Sequence, residues 1–299
     1  MEKKSIIFSI ILTVFFLFGC TSSTLEENSE IILQEEIDIP EVSEDIYKIM
    51  SFNVKYSHIF AENDWNKRKS VVAKHIHNSS PDIIGFQEVF SGNQSRSLKS
   101  EVGEEYEEIF YSRISGIFGE GNPIYYRKDK FTLINRGMFW LNNNPDVMAA
   151  LPGTNTPRIC AYVELLDNNN GKNIAYYNTH LPYEKEVDKA FAASVIIDQI
   201  NSKNYGEDTL VMIGGDFNTF NDRDAYLKVS NSDFDDLSLL ASDGDSGTTF
   251  RLRKNSKSNY ALDFIFARNY ISVPFYRIFN HRINEYYASD HYAIMVGVK

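Results

Sequence analysis

Cysteine, proline and long apolar stretches are scarce in this chain of 299 residues. Its two cysteines, Cys20 and Cys160, allow at most one disulfide bond, which excludes a small fold held together by disulfides. No internal repeat or low-complexity tract follows residue 46, so a repeat protein is excluded as well. The chain does have 43% hydrophobic residues, which suffice for a sizeable core in one large domain or two smaller ones.

Basic residues are outnumbered, with 30 Lys and Arg against 41 Asp and Glu and a formal net charge of −11. Nine of the acids lie within residues 21–46, which contain no Lys or Arg, so the rest of the chain is nearly neutral. Affinity for a polynucleotide backbone comes from cationic side chains that neutralise phosphates. Strong binding of duplex DNA is therefore not expected, although a nuclease that binds weakly and relies on metal ions is compatible with this composition.

The first residues have the pattern of a secretory signal. The apolar run at 5–18 follows Lys3 and Lys4 and is short for a membrane-spanning helix. It ends in Leu17-Phe18-Gly19-Cys20, which resembles the lipobox of bacterial lipoproteins. We expect a signal peptide over 1–19, lipidation at Cys20, and attachment to a bacterial membrane facing the periplasm or the exterior. An uncleaved anchor with an incidental cysteine is the alternative.

Residues 20–46 are rich in Ser, Thr and Glu, with isolated apolar residues. Such a segment buries too little apolar surface to offset the cost of ordering, which predicts a disordered acidic tether. Regular elements begin near residue 46, and residues 47–299 are expected to form a single domain.

Apolar segments with strand-like composition recur along this domain. They predict strands at about 46–54, 82–87, 106–111, 122–127, 131–141, 158–166, 173–179, 209–214, 260–267, 272–280 and 291–298. Helical spacing predicts helices over about 64–79, capped by Asp64, and 184–201. The turn at 168–171 (NNNG) predicts a hairpin, which requires antiparallel neighbours. Two sheets packed face to face with helices outside therefore fit better than a single parallel sheet.

Polar side chains of a few types follow several predicted strands within a residue or two. They are Asn53, Glu88, Asn178, His180, Asp216, Asn218, Asp263, Asp290 and His291. Any one of them alone is most often a turn former, a cap or a core residue. The four carboxylates cannot all be buried unpaired, however, because desolvating them costs too much. If they converge, a divalent cation and imidazolium groups are their natural partners.

Oxygen ligands without thiols favour Mg²⁺, with Mn²⁺ or Ca²⁺ as alternatives, over structural zinc. Mg²⁺ is commonly held by one or two carboxylates together with substrate phosphate oxygens. The pattern therefore indicates phosphate ester chemistry, in which an activated water attacks phosphorus in line with the leaving group.

The ordered series SFNVKY, GFQEV, NPIYYRKDKF, NTHL, GGDFN, LDFIF and SDHYAIMV resembles the endonuclease/exonuclease/phosphatase superfamily. That superfamily includes deoxyribonuclease I, abasic-site endonucleases, neutral sphingomyelinases and poly(A) deadenylases. The resemblance extends from about residue 48 to residue 298. It implies an α+β fold, a four-layer αββα sandwich in which two packed mixed or antiparallel sheets are flanked by helices.

The resemblance also implies roles for individual residues. Metal binding falls to Asn53, Glu88 and Asp290, and orientation or deprotonation of the attacking water falls to Asp216. His180 and His291 match the imidazoles at the scissile phosphate, Asn178 and Asn218 match carboxamides around it, and Asp263 matches the carboxylate that holds His291. Two further matches stay open: Tyr125 is either a phosphate ligand or a core residue, and Arg158 is either a phosphate clamp or a charge at a strand edge.

The function expected from the sequence is a metal-dependent phosphoesterase, either a phosphodiesterase or a phosphomonoesterase, that acts outside the cytoplasm on a phosphate ester substrate. The alternative is a scavenging endo- or exonuclease, and a non-catalytic binding lipoprotein with the same fold is less favoured. Specificity is expected in loops at 55–64, 91–104, 112–122 and 142–157, which lack the Lys/Arg clusters that bind duplex DNA. The chain is expected to be a monomer bound to the membrane through its lipid.

Overall fold

The computed structural model describes residues 37–57, 65–114, 119–251, 260–283 and 285–299. The expected signal peptide, Cys20, the expected tether as far as residue 36, and Asp64 lie outside the described residues. The described residues belong to one compact unit. None of the helices among them has the length and hydrophobicity needed to cross a membrane.

The described residues contain fifteen strands and four α-helices. The strands are β1 (Tyr47–Asn53), β2 (Ile83–Gln87), β3 (Val89–Phe90), β4 (Tyr106–Ile109), β5 (Glu120–Gly121), β6 (Ile124–Arg127), β7 (Phe131–Trp140), β8 (Ile159–Asp167), β9 (Asn173–His180), β10 (Leu210–Asp216), β11 (Asp235–Asp236), β12 (Asp243–Gly244), β13 (Asp263–Arg268), β14 (Phe275–Phe279) and β15 (Ala293–Val298). The helices are α1 (Trp65–Ser79), α2 (Asn93–Val102), α3 (Glu186–Ser202) and α4 (Asp224–Ser230), and a 3₁₀ turn spans Leu237–Leu239.

The strands form two large mixed sheets and one short ladder. The first sheet has seven strands in the order β12-β14-β15-β1-β2-β6-β4, and the second has six in the order β11-β13-β10-β9-β8-β7. Each sheet contains a central parallel pair, β1 with β2 and β9 with β10, which is flanked on both sides by antiparallel strands. At the edge of the first sheet, β12 pairs with β14 in parallel. The predicted hairpin is present between β8 and β9, with Gly171 at φ 73°.

Three apolar cores separate four layers. One lies between the two sheets and includes Ile49 of β1 and Met212 of β10. A second lies between the first sheet and helices α1 and α2, and a third lies between the second sheet and helices α3 and α4. Successive side chains on a strand point to opposite faces, so Ile49 faces the other sheet whereas Met50 faces α1. The αββα sandwich expected from the sequence is therefore confirmed.

Helix α2 is an element that the sequence analysis missed, since residues 91–104 were expected to form a loop. Its buried residues Gln94, Leu98 and Val102 are spaced four apart, as on one face of a helix. Only two of the three are apolar, so the pattern is too weak to stand out in the sequence. The expected loop in this segment is wrong for most of its length.

The segment before β1 lies against the domain from residue 37 onwards. Ile37, Ile39 and Val42 pack against the core under α1, and Arg277 Nε donates to Asp38 O at 2.7 Å. The part of the expected tether at 37–46 is thus held in place by apolar contacts and a hydrogen bond.

Candidate active site

The topology brings the polar ends of strands from both sheets to one edge of the sandwich. The parallel strands β1, β2, β9 and β10 all end at this edge, at or directly before Asn53, Glu88, His180 and Asp216. Strand β13 is antiparallel to β10 and begins here with Asp263, and β15 is antiparallel to β1 and begins two residues after His291. Side chains from six separate segments therefore face one pocket.

His291 is held between two carboxylates. Its Nδ1 donates to Asp263 Oδ2 at 2.9 Å, and its Nε2 lies 3.6 Å from Asp216 Oδ2. Thr249 Oγ1 also donates to Asp263 Oδ2, at 2.6 Å. Burial acts to lower the pKa of His291, but the Asp263 and Asp216 carboxylates outweigh it and raise this pKa to about 10. His291 is an imidazolium at neutral pH, and the pairing with Asp263 predicted from the sequence is present.

His180 also approaches Asp216 but, unlike His291, it is uncharged. Its Nε2 is 3.5 Å from Asp216 Oδ2, while its Nδ1 has no hydrogen-bond partner and lies 3.7 Å from Glu120 Oε1. Burial and then the Arg158 guanidinium lower the pKa of His180 to about 3, against the opposing effect of Asp216 and Glu88. His180 is therefore neutral, so one of its ring nitrogens can donate a hydrogen bond to a ligand and the other can accept one.

Asp216 is the fully buried carboxylate that both imidazoles approach. Its Oδ1 accepts from Asn218 N at 2.9 Å, and its Oδ2 accepts from Asn53 Nδ2 at 3.0 Å. Burial raises the pKa of Asp216, although His291 and His180 act to lower it. A carboxylate with a raised pKa is better suited to accept a proton from water than an exposed one.

Asn53 joins Asp216 to Glu88, which is the strongest candidate for a metal ligand. Asn53 Nδ2 donates to Glu88 Oε1 at 3.0 Å as well as to Asp216, and Glu88 Oε2 accepts from Tyr56 N at 2.8 Å. One potential ligand atom each from Glu88, His180 and Asp216 lies within 4.8 Å of the others. Asn53 Oδ1 accepts from Lys55 N at 3.0 Å, so the predicted role of Asn53 as a metal ligand is corrected to that of orienting the two carboxylates. The carboxylates of Glu88 and Asp216, with the neutral imidazole of His180 beside them, fit a divalent cation of the Mg²⁺ or Mn²⁺ type.

Asp216, Asp263 and His291 form a second group that is equally close. Since His291 is protonated and already donates to Asp263, this group is a hydrogen-bonded network and not a ligand set. Asp290, predicted as a metal ligand, belongs to neither group. Its Oδ2 lies 2.7 Å from Lys55 Nζ, and although burial acts to raise its pKa, Lys55 and His291 together lower it. In the described structure, the charge of Asp290 is balanced by Lys55.

The backbone is unusual at three positions of the site. Lys55, Glu88 and Asn218 have φ angles of 58°, 59° and 50°, a region that residues other than glycine rarely occupy. Backbones in this region are commonly found where a functional side chain must be aimed. Gly215 allows β10 to approach the neighbouring strand closely, because a Cβ at this position would lie 2.0 Å from Thr179 O. The GGDFN motif thus combines close strand packing with a turn that presents Asp216 and Asn218.

Asn218 remains available to a substrate, whereas Asn178 does not. Asn218 Nδ2 uses one hydrogen on Leu181 O at 3.1 Å. Asn178 is fully buried, and its Nδ2 donates to Phe86 O at 2.8 Å and to Pro123 O at 3.0 Å while its Oδ1 accepts from Gln87. Asn178 has no donor left for a phosphate, so the predicted phosphate-binding role is corrected to a link between the two sheets.

Tyr125 is a core residue. It is fully buried in the apolar layer under α1 and α2, it packs edge-on against Phe86, and its hydroxyl donates to Glu108 at 2.7 Å. The predicted phosphate contact of Tyr125 is therefore wrong. Tyrosines in strands frequently fill cores, and the sequence does not reveal which face of β6 this one occupies.

Arg158 lies immediately before β8, beside His180. Its side chain is only 6% exposed, and its Nε and Nη1 have no hydrogen-bond partner. Burial lowers the pKa of Arg158, and the carboxylates of Glu120, Asp216 and Glu88 act in the opposite direction. Buried guanidinium donors without partners favour the phosphate-clamp alternative over a simple charge at a strand edge.

Three charged residues of the site were missed by the sequence analysis. Lys55 pairs with Asp290, and Glu120 lies 2.9 Å from Arg113 Nη1. Lys55 and Arg113 follow predicted strands, but only carboxylate, amide and imidazole side chains were considered as candidates at strand ends. Glu120 belongs to the two-residue strand β5, which is too short to give a periodic signal.

The chain belongs to the endonuclease/exonuclease/phosphatase family, whose model matches residues 50–291. The fold is the deoxyribonuclease I-like fold of that family. An uncharacterised protein of Acanthamoeba polyphaga mimivirus is 24% identical over 248 residues, which cover 78% of this chain and 91% of the viral protein.

Relatives with named activities include a phosphatase and a nuclease. The solved structure of a mannosyl-6-phosphatase from Bacteroides thetaiotaomicron is 24% identical with a TM-score of 0.74, and the match covers 85% of this chain and 99% of that one. The 3′-5′-exoribonuclease subunit of the CCR4-Not complex of Candida albicans is 22% identical over 249 residues, which cover 69% of this chain and 31% of the relative. Hydrolysis of phosphate esters is the chemistry that these relatives share.

Proposed function

We propose that this protein is a Mg²⁺-dependent phosphoesterase. The observation that carries the proposal is the convergence of a protonated and a neutral imidazole on one buried carboxylate, Asp216, next to Glu88 and the unpartnered donors of Arg158. This arrangement offers an anion site, a proton acceptor and a proton donor within one pocket.

In this scheme Asp216 accepts a proton from the attacking water, whose oxygen bonds to phosphorus as the bond from phosphorus to the ester oxygen breaks. The leaving oxygen departs with the electron pair of that bond and takes a proton from solvent water. Its burial and raised pKa favour proton transfer, and Asn53 and Asn218 N fix the orientation of its two oxygens. His291 donates a hydrogen bond from Nε2 to an oxygen of the phosphoryl group as negative charge accumulates there. Asp263 holds the imidazolium in that orientation through Nδ1.

His180 and Arg158 bind the phosphoryl group from the other side. Arg158 Nε and Nη1 have no hydrogen-bond partner, and the neutral His180 lies 3.5 Å from Asp216. Glu88 and Asp216, both oriented by Asn53, would hold Mg²⁺, which supplies positive charge to the phosphoryl oxygens when it is bound. Mn²⁺ or Ca²⁺ would occupy the same oxygen-rich set with different geometric demands.

A nuclease is the second candidate, supported by the similarity to the exoribonuclease subunit from Candida albicans.

We further propose that the enzyme acts outside the cytoplasm as a monomer anchored by a lipid on Cys20. The Lys3-Lys4 and Leu-Phe-Gly-Cys pattern of the sequence supports that location.

The test is a hydrolysis assay with the purified chain on three substrate types: para-nitrophenyl phosphate, methyl para-nitrophenyl phosphate and single-stranded RNA. We expect release of para-nitrophenol in Mg²⁺, complete loss after EDTA treatment, and recovery when Mg²⁺ is restored. Cleavage of RNA alone would support the nuclease instead. Absence of cleavage of all three in Mg²⁺, Mn²⁺ and Ca²⁺ would contradict the proposed function.

A further inference from the structure

A cluster of two arginines around one glutamate lines the pocket beside His180. Arg113 Nη1 lies 2.9 Å from Glu120 Oε1, and Arg158 Nη1 lies 3.9 Å from the same oxygen. His180 Nδ1 faces that oxygen as well, at 3.7 Å. We call Arg113, Glu120 and Arg158 the arginine cluster.

Backbone contacts fix the cluster relative to Glu88. Strand β5 pairs with β3, and this ladder places Glu120 opposite Phe90, two residues after Glu88. Arg113 N donates to Glu120 O at 2.9 Å, and Trp140 Nε1 donates to Arg113 O at 3.2 Å. The arginine cluster is thus built on the same short ladder that follows the candidate metal ligand.

One carboxylate cannot accept hydrogen bonds from all the donors of two guanidinium groups. Glu120 makes a close contact with Arg113 only, while Arg158 Nε and Nη1 lack hydrogen-bond partners in a side chain that is 6% exposed. A buried charged donor without a partner is costly, and an anion that accepts from it removes that cost. The cluster therefore has capacity for an anion beyond Glu120.

Glu120, Arg158 and His180 form this side of the site, and they are 8%, 6% and 4% exposed. A terminal phosphate oxygen needs less room against these residues than an ester chain that leads away from the phosphorus.

We propose that the arginine cluster receives the terminal oxygens of a phosphate monoester, so that the enzyme is a phosphomonoesterase. A monoester carries between one and two negative charges near neutral pH and has three terminal oxygens. A diester carries one charge, has two terminal oxygens and brings a second ester chain. Two guanidinium groups, of which Arg158 has unpartnered donors, match the greater charge and the third terminal oxygen of the monoester better than they match a diester. This inference depends on the proposed function, because it concerns the substrate of the same pocket.

Glu120 acts here as a positioning residue. By pairing with Arg113 and standing beside Arg158, it holds the two guanidinium groups apart and directed at the pocket. Its own carboxylate is buried, and burial raises its pKa while Arg113 and then Arg158 lower it.

The test compares kcat/KM for para-nitrophenyl phosphate with kcat/KM for methyl para-nitrophenyl phosphate, which share a leaving group and differ by one ester chain. The wild type should prefer the monoester. Arg113→Met should lower kcat/KM for the monoester about 10- to 100-fold, the size of one hydrogen bond between charged groups, and should change the diester value less than about threefold. Arg136→Met, an exposed arginine on β7, is the matched control and should change neither value.

Because Arg158→Met removes a buried side chain and can destabilise the fold, Arg113→Met is the variant used. Binding of inorganic phosphate to the wild type and to Arg113→Met is measured by calorimetry alongside the kinetics. Weaker phosphate binding in Arg113→Met with unchanged binding of dimethyl phosphate supports the proposal. In Glu120→Gln, a rise in KM for the monoester that exceeds the change in kcat supports the positioning role. A wild type that prefers the diester, or an Arg113→Met that loses both activities equally, would overturn the monoester inference while leaving the phosphoesterase intact. A wild type that cleaves neither ester would overturn the proposed function itself.

Discussion

His180 and His291 lie at similar distances from one carboxylate, Asp216, yet the first is neutral and the second is protonated. His291 has Asp263 at 2.9 Å on its Nδ1, whereas the Nδ1 of His180 has only a glutamate at 3.7 Å that is already paired with an arginine. The sequence allowed the first of these environments to be predicted, because LDF and SDH are motifs of the family. It did not reveal the second, because Glu120 and Arg113 lie in a segment without periodicity.

The Asp263→Asn variant tests the charge state of His291. Asp263 raises the pKa of His291, which is about 10 in the wild type, so its replacement by a neutral amide lowers that pKa towards the ordinary 6.5. If the imidazolium is the active form, the wild type keeps activity into the alkaline range and the variant loses it at lower pH. We expect the alkaline limb of kcat/KM to move down by about 1–3 pH units. An unchanged pH profile, with the variant folded, would refute this role of Asp263.

At the scale of elements, strands were more predictable than helices. The central strands are apolar on both faces, as Ile49 and Met50 of β1 illustrate, and this leaves a continuous signal in the sequence. Helix α2 and the two-residue strands β3 and β5 are set by tertiary contacts, and their sequences carry little pattern. The sequence also does not show which face of a strand a residue occupies. For this reason Tyr125 and Asn178 were placed among the candidates for phosphate binding, although both lie in the interior.

Asn178 joins β9 to the other sheet, so its loss should affect stability first. In Asn178→Ala the carbonyl of Phe86 loses a donor in the interior, and the buried Gln87 amide loses one of its acceptors. The free energy of unfolding should fall by about 1–3 kcal/mol, measured by urea denaturation. Asn173→Ala, exposed at the start of the same strand, should change it by less than about 0.5 kcal/mol. Full stability together with a loss of phosphate binding in Asn178→Ala would restore the predicted phosphate-binding role.

At the scale of the whole molecule, the sandwich explains why distant motifs share one site. The two sheets pack so that the ends of β1 and β2 meet the ends of β9 and β10, and no single motif contains a complete set of ligands. The sequence therefore predicted the members of the site better than their contacts. The placement of Asp290 against Lys55, for example, depends on side-chain directions that no spacing specifies.

The Cys20→Ala variant tests the proposed location. In a bacterial host, the wild type should sediment with membranes and incorporate radiolabelled palmitate, since acyl chains bury apolar surface in the bilayer. Cys20→Ala should do neither. Cys160→Ala, a fully buried cysteine within β8, is the control and should behave like the wild type. Membrane attachment of Cys20→Ala without palmitate would favour an uncleaved anchor over a lipoprotein.

The central claim is that Glu88 and Asp216, from different sheets, hold one divalent cation at the pocket. The most direct measurement is the binding of Mn²⁺ to the EDTA-treated protein, followed by the electron paramagnetic resonance signal of the free ion. We predict one site in the wild type and in Glu207→Ala, which removes an exposed acid elsewhere. Affinity should fall at least about tenfold in Glu88→Ala and in Asp216→Ala, as expected when one carboxylate ligand is lost. Undiminished Mn²⁺ binding in both variants would contradict the account.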